Sequence, residues 1–186
     1  VQISGNGHSS DGVCVSGAIA RAAARQPSED AEPLLKDVQD NVYFFDGCTV
    51  TGNVVIKSKE NLDTFRSWLA NDCMSGEKRG CTGRWVLDGS LSVHNADDIA
   101  TLAPLGNLTQ INGTDTRGRS LDLYHNKILE SVDAFKNVAS RLMGSIYIGY
   151  NSQLTNLEGL QHVLSVQGAD ETSGCAIELV SNDALE

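Results

Sequence analysis

Apolar residues fall at every third position in a run near the C-terminus of the chain. The run contains Leu154, Leu157, Leu160, Val163 and Val166. This spacing fits neither the 3.6-residue period of an amphipathic helix nor the 2.0-residue period of a strand. A period of three, with one residue inward and two outward, suits a chain that repeatedly turns corners around a narrow core.

A strand-like segment precedes this run, and the combination recurs along the chain. Ile146-x-Ile148-x-x-Asn151 alternates apolar and polar residues, as a half-buried strand does. Copies of this segment, complete or partial, begin at Val1, Val54, Leu91, Leu121 and Ile177. Stacked copies cover one another's open edges and build one apolar column. The sequence therefore predicts a mainly β solenoid with parallel strands and about six rungs.

Helices and loops are predicted outside these repeats. Residues 16–25 are rich in good helix formers and predict a helix that caps one open end of the solenoid, within a helical insert spanning residues 16–40. Residues 5–12 are predicted to form a loop, and residues 42–56 to return to strand with a turn at Asp46-Gly47. A short helix is predicted over residues 61–70, with Leu62, Phe65 and Leu69 on one face.

Composition and charge limit the classes of function. A chain of 186 residues suffices for a single domain, 1–186. Its net charge of −10 argues against a nucleic-acid partner and against an anionic membrane surface. No apolar run reaches the length of about 18 residues that suggests a membrane span. Because both ends fall inside strand patterns, we interpret the chain as part of a longer one.

Five cysteines and two sequons indicate an oxidising, extracellular compartment. Cys73 and Cys81 flank a Gly-rich tip and predict a loop closed by a disulfide, while Cys14 and Cys48 bracket the helical insert and are placed to tie its ends. Cys175 is left over. It is either an unpaired thiol, or bonded to a cysteine in the flanking sequence of a longer chain, or bonded to a neighbouring molecule.

Asn107 and Asn112 begin the two sequons, Asn-Leu-Thr and Asn-Gly-Thr. Each lies between predicted core positions, so both side chains are expected to face solvent and to carry glycans. The alternative is two unmodified asparagines in turns. The four histidines and five cysteines have no zinc-binding spacing, so no metal site and no cofactor are predicted.

The candidate binding face is the side of the predicted sheet that points away from the core. Asp122 and Tyr147 occupy the position after the first apolar residue of their strands, and Tyr124 lies two further on. With His125 and Tyr150 they form the aromatic cluster of the repeats, and tyrosine gives large contact area at small entropic cost. The alternative is a set of β-forming residues that only cover a sheet.

Asn126, Asn151 and Asn182 share one position of the repeat. They are predicted to turn inward and to bond the backbone of the bend, which is a structural role.

Catalysis is not expected. Asp122 and Glu178 fall in one column with Tyr147 between them, which separates the two carboxylates by about 9–10 Å at the usual strand spacing. Asp97-Asp98 and Asp170-Glu171 are interpreted as exposed loop charges. The sequence contains no nucleophile elbow, P-loop or His-Glu-x-x-His motif.

Three segments together resemble the receptor L-domain, the ligand-binding module of the insulin and epidermal growth factor receptors and of fungal cell-wall proteins. They are the stretches Cys48–Ile56, Leu105–Gly113 and Ser145–Leu154. The resemblance spans nearly the whole chain and implies a short right-handed parallel β-helix with a helix at its end. The insert before Cys48 is longer than the corresponding insert in that family, and the cysteines that close the domain in that family are missing from this chain.

The sequence thus predicts a secreted or cell-surface recognition module that binds proteins or glycans through its sheet face. The competing hypothesis is a structural building block of an extracellular coat or filament, assembled through contacts between copies of the chain. An unpaired Cys175 and exposed strand edges would serve such contacts.

Overall fold

The computed structural model describes residues 8–9, 12–15, 44–46, 48–74, 83–139 and 141–186. The predicted first strand at residues 1–6, the whole predicted insert at residues 16–40 with its capping helix, and Cys81 lie outside these ranges. The described part is mainly β, with parallel sheets and few helices, and this confirms the predicted class.

The largest sheet has seven strands in the order β1-β2-β13-β11-β9-β7-β5. Their bounds are β1 His8–Ser9, β2 Gly12–Val15, β5 Val54–Ile56, β7 Leu91–His94, β9 Arg119–Tyr124, β11 Ser145–Gly149 and β13 Ile177–Val180. The last five are mutually parallel. Their registers align Val54, Leu91, Leu121, Ile146 and Ile177 in one row, as the repeat predicts.

The strands that precede these five form two further sheets. β3 Phe44–Asp46, β4 Thr49–Thr51, β6 Trp85–Asp88 and β8 Leu108–Ile111 make a four-stranded sheet, and β10 Arg141–Leu142 pairs in parallel with β12 Ser165–Val166. β3 and β4 form an antiparallel hairpin at the predicted turn, whereas β4, β6 and β8 are parallel.

The period of three has a local cause that the sequence did not reveal. Three 3₁₀ helices, Ala103–Leu105, Asp133–Phe135 and Glu158–Leu160, follow strands β7, β9 and β11 and pack against one another in turn. A 3₁₀ helix has 3.0 residues per turn. Apolar residues three apart therefore face the same core, and Leu102, Leu105 and Phe135 are fully buried there.

Helix α1 spans Lys59–Met74, which confirms the predicted helix and extends it at both ends. Leu62, Phe65 and Leu69 are buried as predicted. Its start is fixed by a long-range contact, because the backbone N–H of Lys59 donates to the Asp98 carboxylate at 2.9 Å. Asp98 is exposed, as the sequence predicted, and in addition it holds the first residue of this helix.

Glycines stack where the repeats turn. A Cβ atom added at Gly113 would lie 2.6 Å from the Cα of Gly89, and one added at Gly168 would lie 2.6 Å from the Cα of Gly144. Both distances are shorter than real Cβ contacts, so these positions admit only glycine without a backbone shift.

The predicted loop at residues 5–12 is partly wrong. β1 and β2 form an antiparallel hairpin, and β2 pairs antiparallel with β13. Gly, Ser and His have little preference for strands, but β13 offers an edge of unpaired backbone groups, and pairing with that edge overrides local propensity.

Cys48 and Cys175 are both disulfide-bonded. Cys175 is buried and bonded within the chain, which contradicts the unpaired and intermolecular alternatives. The strand order also argues against a Cys14–Cys48 bond. Cys14 lies opposite Glu178 in β2, five strand intervals from β5, or about 24 Å at 4.8 Å per interval. Cys48 lies just before β4, next to β5, and a disulfide needs Cα atoms within about 7 Å. The side chains of Cys14 and Cys73 lie outside the described part.

Candidate binding site

A polar cavity of about 560 Å³ opens on the face of the seven-stranded sheet that points away from the core. Side chains alternate along β9, so Leu121 and Leu123 enter the core while Asp122 and Tyr124 face the cavity. Ten described residues line it. They include three of the five predicted binding residues: Asp122, Tyr124 and Tyr147.

Arg119 organises this cavity, and sequence reasoning missed it. Its Nη1 donates to Asp122 Oδ2 at 2.9 Å, and its Nε donates to Asp170 Oδ2 at 2.5 Å. Its guanidinium carbon lies 4.0 Å from the centroid of the Tyr147 ring, a cation–π contact. One side chain thus ties β9 to β11 and to the loop that follows β12.

A tight turn before β9 fixes the position of Arg119. Asp115 Oδ1 accepts the backbone N–H groups of Arg117 at 2.8 Å and of Arg119 at 2.9 Å. Gly118 has φ +78°, a left-handed conformation that glycine adopts without strain. This Asx-type turn delivers the Arg119 backbone directly into the sheet.

Asp170 corrects a second expectation, since it is 1% exposed and not a free loop charge. Its Oδ1 accepts the backbone N–H groups of Thr172 and Ser173 at 2.8 and 2.9 Å, while Oδ2 binds Arg119. All these donors favour the ionised carboxylate. Although burial opposes it, the N–H of Ser173, the guanidinium of Arg119 and the N–H of Thr172 together lower the pKa of Asp170.

The pKa of Asp122 shifts in the opposite direction to that of Asp170. Burial raises the pKa of its carboxyl group, and the hydrogen bond from Arg119 only partly offsets this effect. Its Oδ1 is buried and has no hydrogen-bond partner. Arg119 therefore bonds two carboxylates of different character, one fully satisfied and one with an acceptor left over.

The aromatic residues meet as the sequence predicted, although not all face solvent. The Tyr124 ring centroid lies 5.9 Å from that of Tyr147, 5.5 Å from that of Tyr150 and 4.3 Å from that of His125. His125 and Tyr150 stack at 4.8 Å with their planes 10° apart. These two residues lie beside the cavity and do not line it.

Asp122 and Tyr147 were expected to be exposed, but they are 8% and 9% exposed. Arg119 covers both of them. The Tyr147 ring also lies close against Gly149, because a Cβ atom at Gly149 would come within 2.8 Å of the ring. Burial, followed by the negative charge of Glu178, raises the pKa of Tyr147 to about 12, so this hydroxyl stays protonated at neutral pH.

The asparagines form a ladder beside this face. Asn126 Nδ2 donates to the carbonyl of Val93 at 2.8 Å, and Asn126 Oδ1 accepts the backbone N–H of Ala96 at 3.2 Å. Asn151 and Asn182 repeat the pattern, donating to the carbonyls one strand earlier. The predicted inward, backbone-bonding role is confirmed. His125 and Tyr150, each just before a ladder asparagine, have φ of 55° and 58°.

Both sequon asparagines, Asn107 and Asn112, are exposed. Asp97 is exposed as expected, and forms an ion pair with Lys127. In the part of the chain that the structure describes, no group of three or more His, Cys, Asp or Glu side chains is placed to hold a metal ion.

No family model, curated protein or solved structure matches this chain. The resemblance to the receptor L-domain therefore stays a prediction from the sequence. Within the described ranges, no helix has both the length and the apolar character needed to cross a membrane.

His94, which lines the cavity, should make stability depend on pH. Burial, then Lys57, lowers the pKa of its imidazole; Asp122 opposes this and Arg117 adds to it. A lowered folded-state pKa contributes stability above the unfolded value of 6.5, and this contribution is lost as pH falls through the folded value. We expect His94→Gln to lose less thermal stability than the wild type between neutral pH and pH values below 6.5.

The matched control is His162→Gln, which changes an exposed histidine away from the cavity. Thermal unfolding of the three proteins across this pH range measures the effect. Equal pH slopes for the wild type and His94→Gln would contradict the expected role of His94.

Proposed function

We propose that this chain is an extracellular, non-catalytic recognition module of receptor L-domain type, whose ligand binds at the cavity on the seven-stranded sheet. One observation carries the proposal: Asp122, Tyr124 and Tyr147, chosen from the sequence as binding residues, line a single polar cavity. His125 and Tyr150 extend the cavity into an aromatic surface beside it.

The proposed architecture is a short right-handed parallel β-helix. The strands β5, β7, β9, β11 and β13 are parallel neighbours, and each is preceded along the chain by a strand of another sheet. This repeated order supports a solenoid with the cavity on one of its flat faces.

A non-catalytic role is supported by the state of the cavity's ionisable groups. Asp122 Oδ2 is held by Arg119, and Tyr147 keeps its proton at neutral pH. The register places Tyr147 between Asp122 and Glu178, so these two carboxylates do not converge on one reacting atom. In the described part of the chain, Asp122 and Glu178 are therefore not arranged as the acid and base of a hydrolase.

An extracellular location is supported by the exposed Asn107 and Asn112 and by the disulfide-bonded Cys48 and Cys175. The alternative, a coat or filament subunit, has lost one of its supports, because Cys175 is bonded within the chain and does not serve to link copies.

The proposal is tested by immobilising the protein and measuring what it retains from the extracellular fraction of its source organism. Tyr124 contacts three other aromatic rings. Tyr124→Ala should therefore reduce retention at least about tenfold, as truncation of an aromatic binding residue typically does.

Leu164→Ser is the control, since Leu164 is 73% exposed and lies just before β12, outside the seven-stranded sheet. It should retain the same components as the wild type. If Tyr124→Ala retains them equally well, or if the wild type retains nothing, the proposed function is wrong.

A further inference from the structure

The charges of the cavity differ in how far a ligand can reach them. Arg119 and Asp122 are buried and bonded to each other, and Asp115 is half-buried with its Oδ1 accepting two backbone N–H groups. Arg117 is exposed, and its guanidinium makes no hydrogen bond or ion pair with another described residue. Among the described lining residues, Arg117 is therefore the charge that is both exposed and unpaired.

Cations outweigh carboxylates around His94, which lines the same cavity. Ile56 pairs with Val93, so Lys57 lies beside His94. Burial is the largest cause of the lowered pKa of His94, the charges of Lys57 and Arg117 lower it further, and Asp122 opposes them. A chain with a net charge of −10 thus has a local positive potential at this cavity.

His94 also brings a free hydrogen-bond donor to the lining. Asn95 Nδ2 lies 3.2 Å from His94 Nδ1. An amide nitrogen donates and does not accept, so Nδ1 is the acceptor and the neutral imidazole keeps its proton on Nε2. This Nε2–H has no hydrogen-bond partner among the described residues.

A charged acceptor matches these groups. Carboxylate and sulfate groups offer acceptor oxygens and no donor, and the planar guanidinium of an arginine can bind two such oxygens at once. A ligand that places an anionic group against Arg117 and His94 therefore satisfies an unpaired charge and an unpaired donor together.

The rest of the cavity describes the molecule that carries this group. None of the ten described lining residues is Ala, Val, Leu, Ile or Met, so a lipid or another apolar molecule does not fit. The volume of about 560 Å³ exceeds the needs of a bare ion. An extended peptide is disfavoured as well, because β9 is paired on both sides and offers no free edge for strand addition.

From these observations we infer that the cavity binds an acidic saccharide, whose carboxylate or sulfate group is held by the Arg117 guanidinium and the Nε2–H of His94. The inference rests on the proposed function and names its ligand class. The exposed Thr116 and the half-buried Tyr124 supply hydroxyl groups for the polar edges of the sugar.

The test measures the affinity of the full chain for three acidic saccharides by isothermal titration calorimetry: sialyllactose, a hyaluronan tetrasaccharide and a chondroitin sulfate disaccharide. At least one should bind, and lactose, the neutral part of sialyllactose, should not. Arg117→Gln should weaken the binding at least about tenfold, because it removes the unpaired charge. Arg141→Gln is the matched control, since it makes the same change at an exposed arginine in β10, outside the cavity, and should bind as the wild type does.

The pH dependence of binding tests the contact with His94. A bound anion favours the protonated imidazole, so the affinity for the acidic saccharide should rise as pH falls below 6.5. Lys57 and Arg117 oppose this protonation and Asp122 favours it, and all three charges remain in His94→Gln. We expect His94→Gln to lose most of the rise. An equal rise in both proteins would contradict the contact and overturn the inference.

The inference is also overturned if none of the three acidic saccharides binds, if lactose binds, or if Arg117→Gln binds as tightly as the wild type. Binding of a tetraglutamate peptide without binding of any acidic saccharide would overturn it too, because the anionic group would then belong to a protein partner. These results differ from a failure of the proposed function. Retention that depends on Tyr124 without binding of an acidic saccharide would leave a recognition module with a ligand of another class.

Discussion

Arg119→Met should lower the free energy of unfolding by about 3–5 kcal/mol, because it leaves two buried carboxylates without their cation. The Arg119 side chain is 9% exposed, and those of its partners Asp122 and Asp170 are 11% and 1% exposed. Methionine keeps an unbranched apolar chain in place of the arginine stem, so most of the loss reports the missing charge. Urea unfolding followed by circular dichroism measures it.

The ion pair between Lys127 and Asp97 provides the matched control. Its side chains are 65% and 53% exposed, and its N–O distance is 2.6 Å. Water screens an exposed ion pair, so Lys127→Met should have little effect on stability although its hydrogen bond is about as short as those of Arg119. Similar losses in the two variants would show that burial does not set the strength of the Arg119 contacts.

A triple variant separates the effect of losing the Arg119 charge from the effect of leaving two buried carboxylates unpaired. Replacing Asp122 and Asp170 by asparagine in the Arg119→Met protein removes the two buried charges that the single variant leaves unpaired. We expect it to recover part of the lost stability, because breaking a buried pair costs more than removing it whole. A triple variant less stable than Arg119→Met would contradict this account.

The sequence predicted the features that repeat along the chain and missed a contact that joins distant residues once. The aligned row of strands and the ladder asparagines repeat along the chain, so a pattern of residue types reveals them. The contact between Arg119 and Asp170 joins residues 51 positions apart and occurs once. A single contact of this kind leaves no repeating pattern in the sequence. It forms only when the loop after β12 packs against the sheet.

The sequence held no local signal for Arg119. It lies three residues before Asp122, and regular alternation along a strand would place these two side chains on opposite faces. The ion pair forms where the register between β9 and β11 shifts, between Ser145 and Ile146. The burial of Tyr147 and Asp122 was not predictable either. Alternation correctly placed both side chains on the face away from the core, but it carries no information about the arginine that covers that face.

The hairpin of β1 and β2 shows the same limit. The residues of β1, His8 and Ser9, carry little strand signal, and β2 with its two valines is too short to predict a strand by itself, so its pairing with β13 decides the outcome. The 3₁₀ helices are the reverse case, since their period was visible in the sequence although the helices themselves were not predicted. Three residues per turn also describes a 3₁₀ helix, and the same leucines satisfy both descriptions.

Asn126→Ala should lower the free energy of unfolding by about 2–6 kcal/mol, because it leaves two buried backbone groups without partners at about 1–3 kcal/mol each. These are the carbonyl of Val93 and the N–H of Ala96, both fully buried. The variant also removes the Nδ2 donor to Asn151 Oδ1, a bond of 3.1 Å. Alanine offers no polar atom to replace any of them.

The last asparagine of the ladder is the control. Asn182 makes the same kind of bond, to the carbonyl of Ile148 at 2.9 Å, but it is only half-buried. Its partners Ile148 and Asn151 are fully buried, but Asn182 itself is half-exposed, so water can take the place of the side chain that Asn182→Ala removes. The cost should therefore stay near the value for an ordinary hydrogen bond, about 0.5–1.5 kcal/mol. Thermal and urea unfolding of both variants measure the two losses of stability. If Asn182→Ala is as destabilising as Asn126→Ala, the ladder does not stabilise the repeats by satisfying buried backbone groups, and the stacked apolar column alone must hold them together.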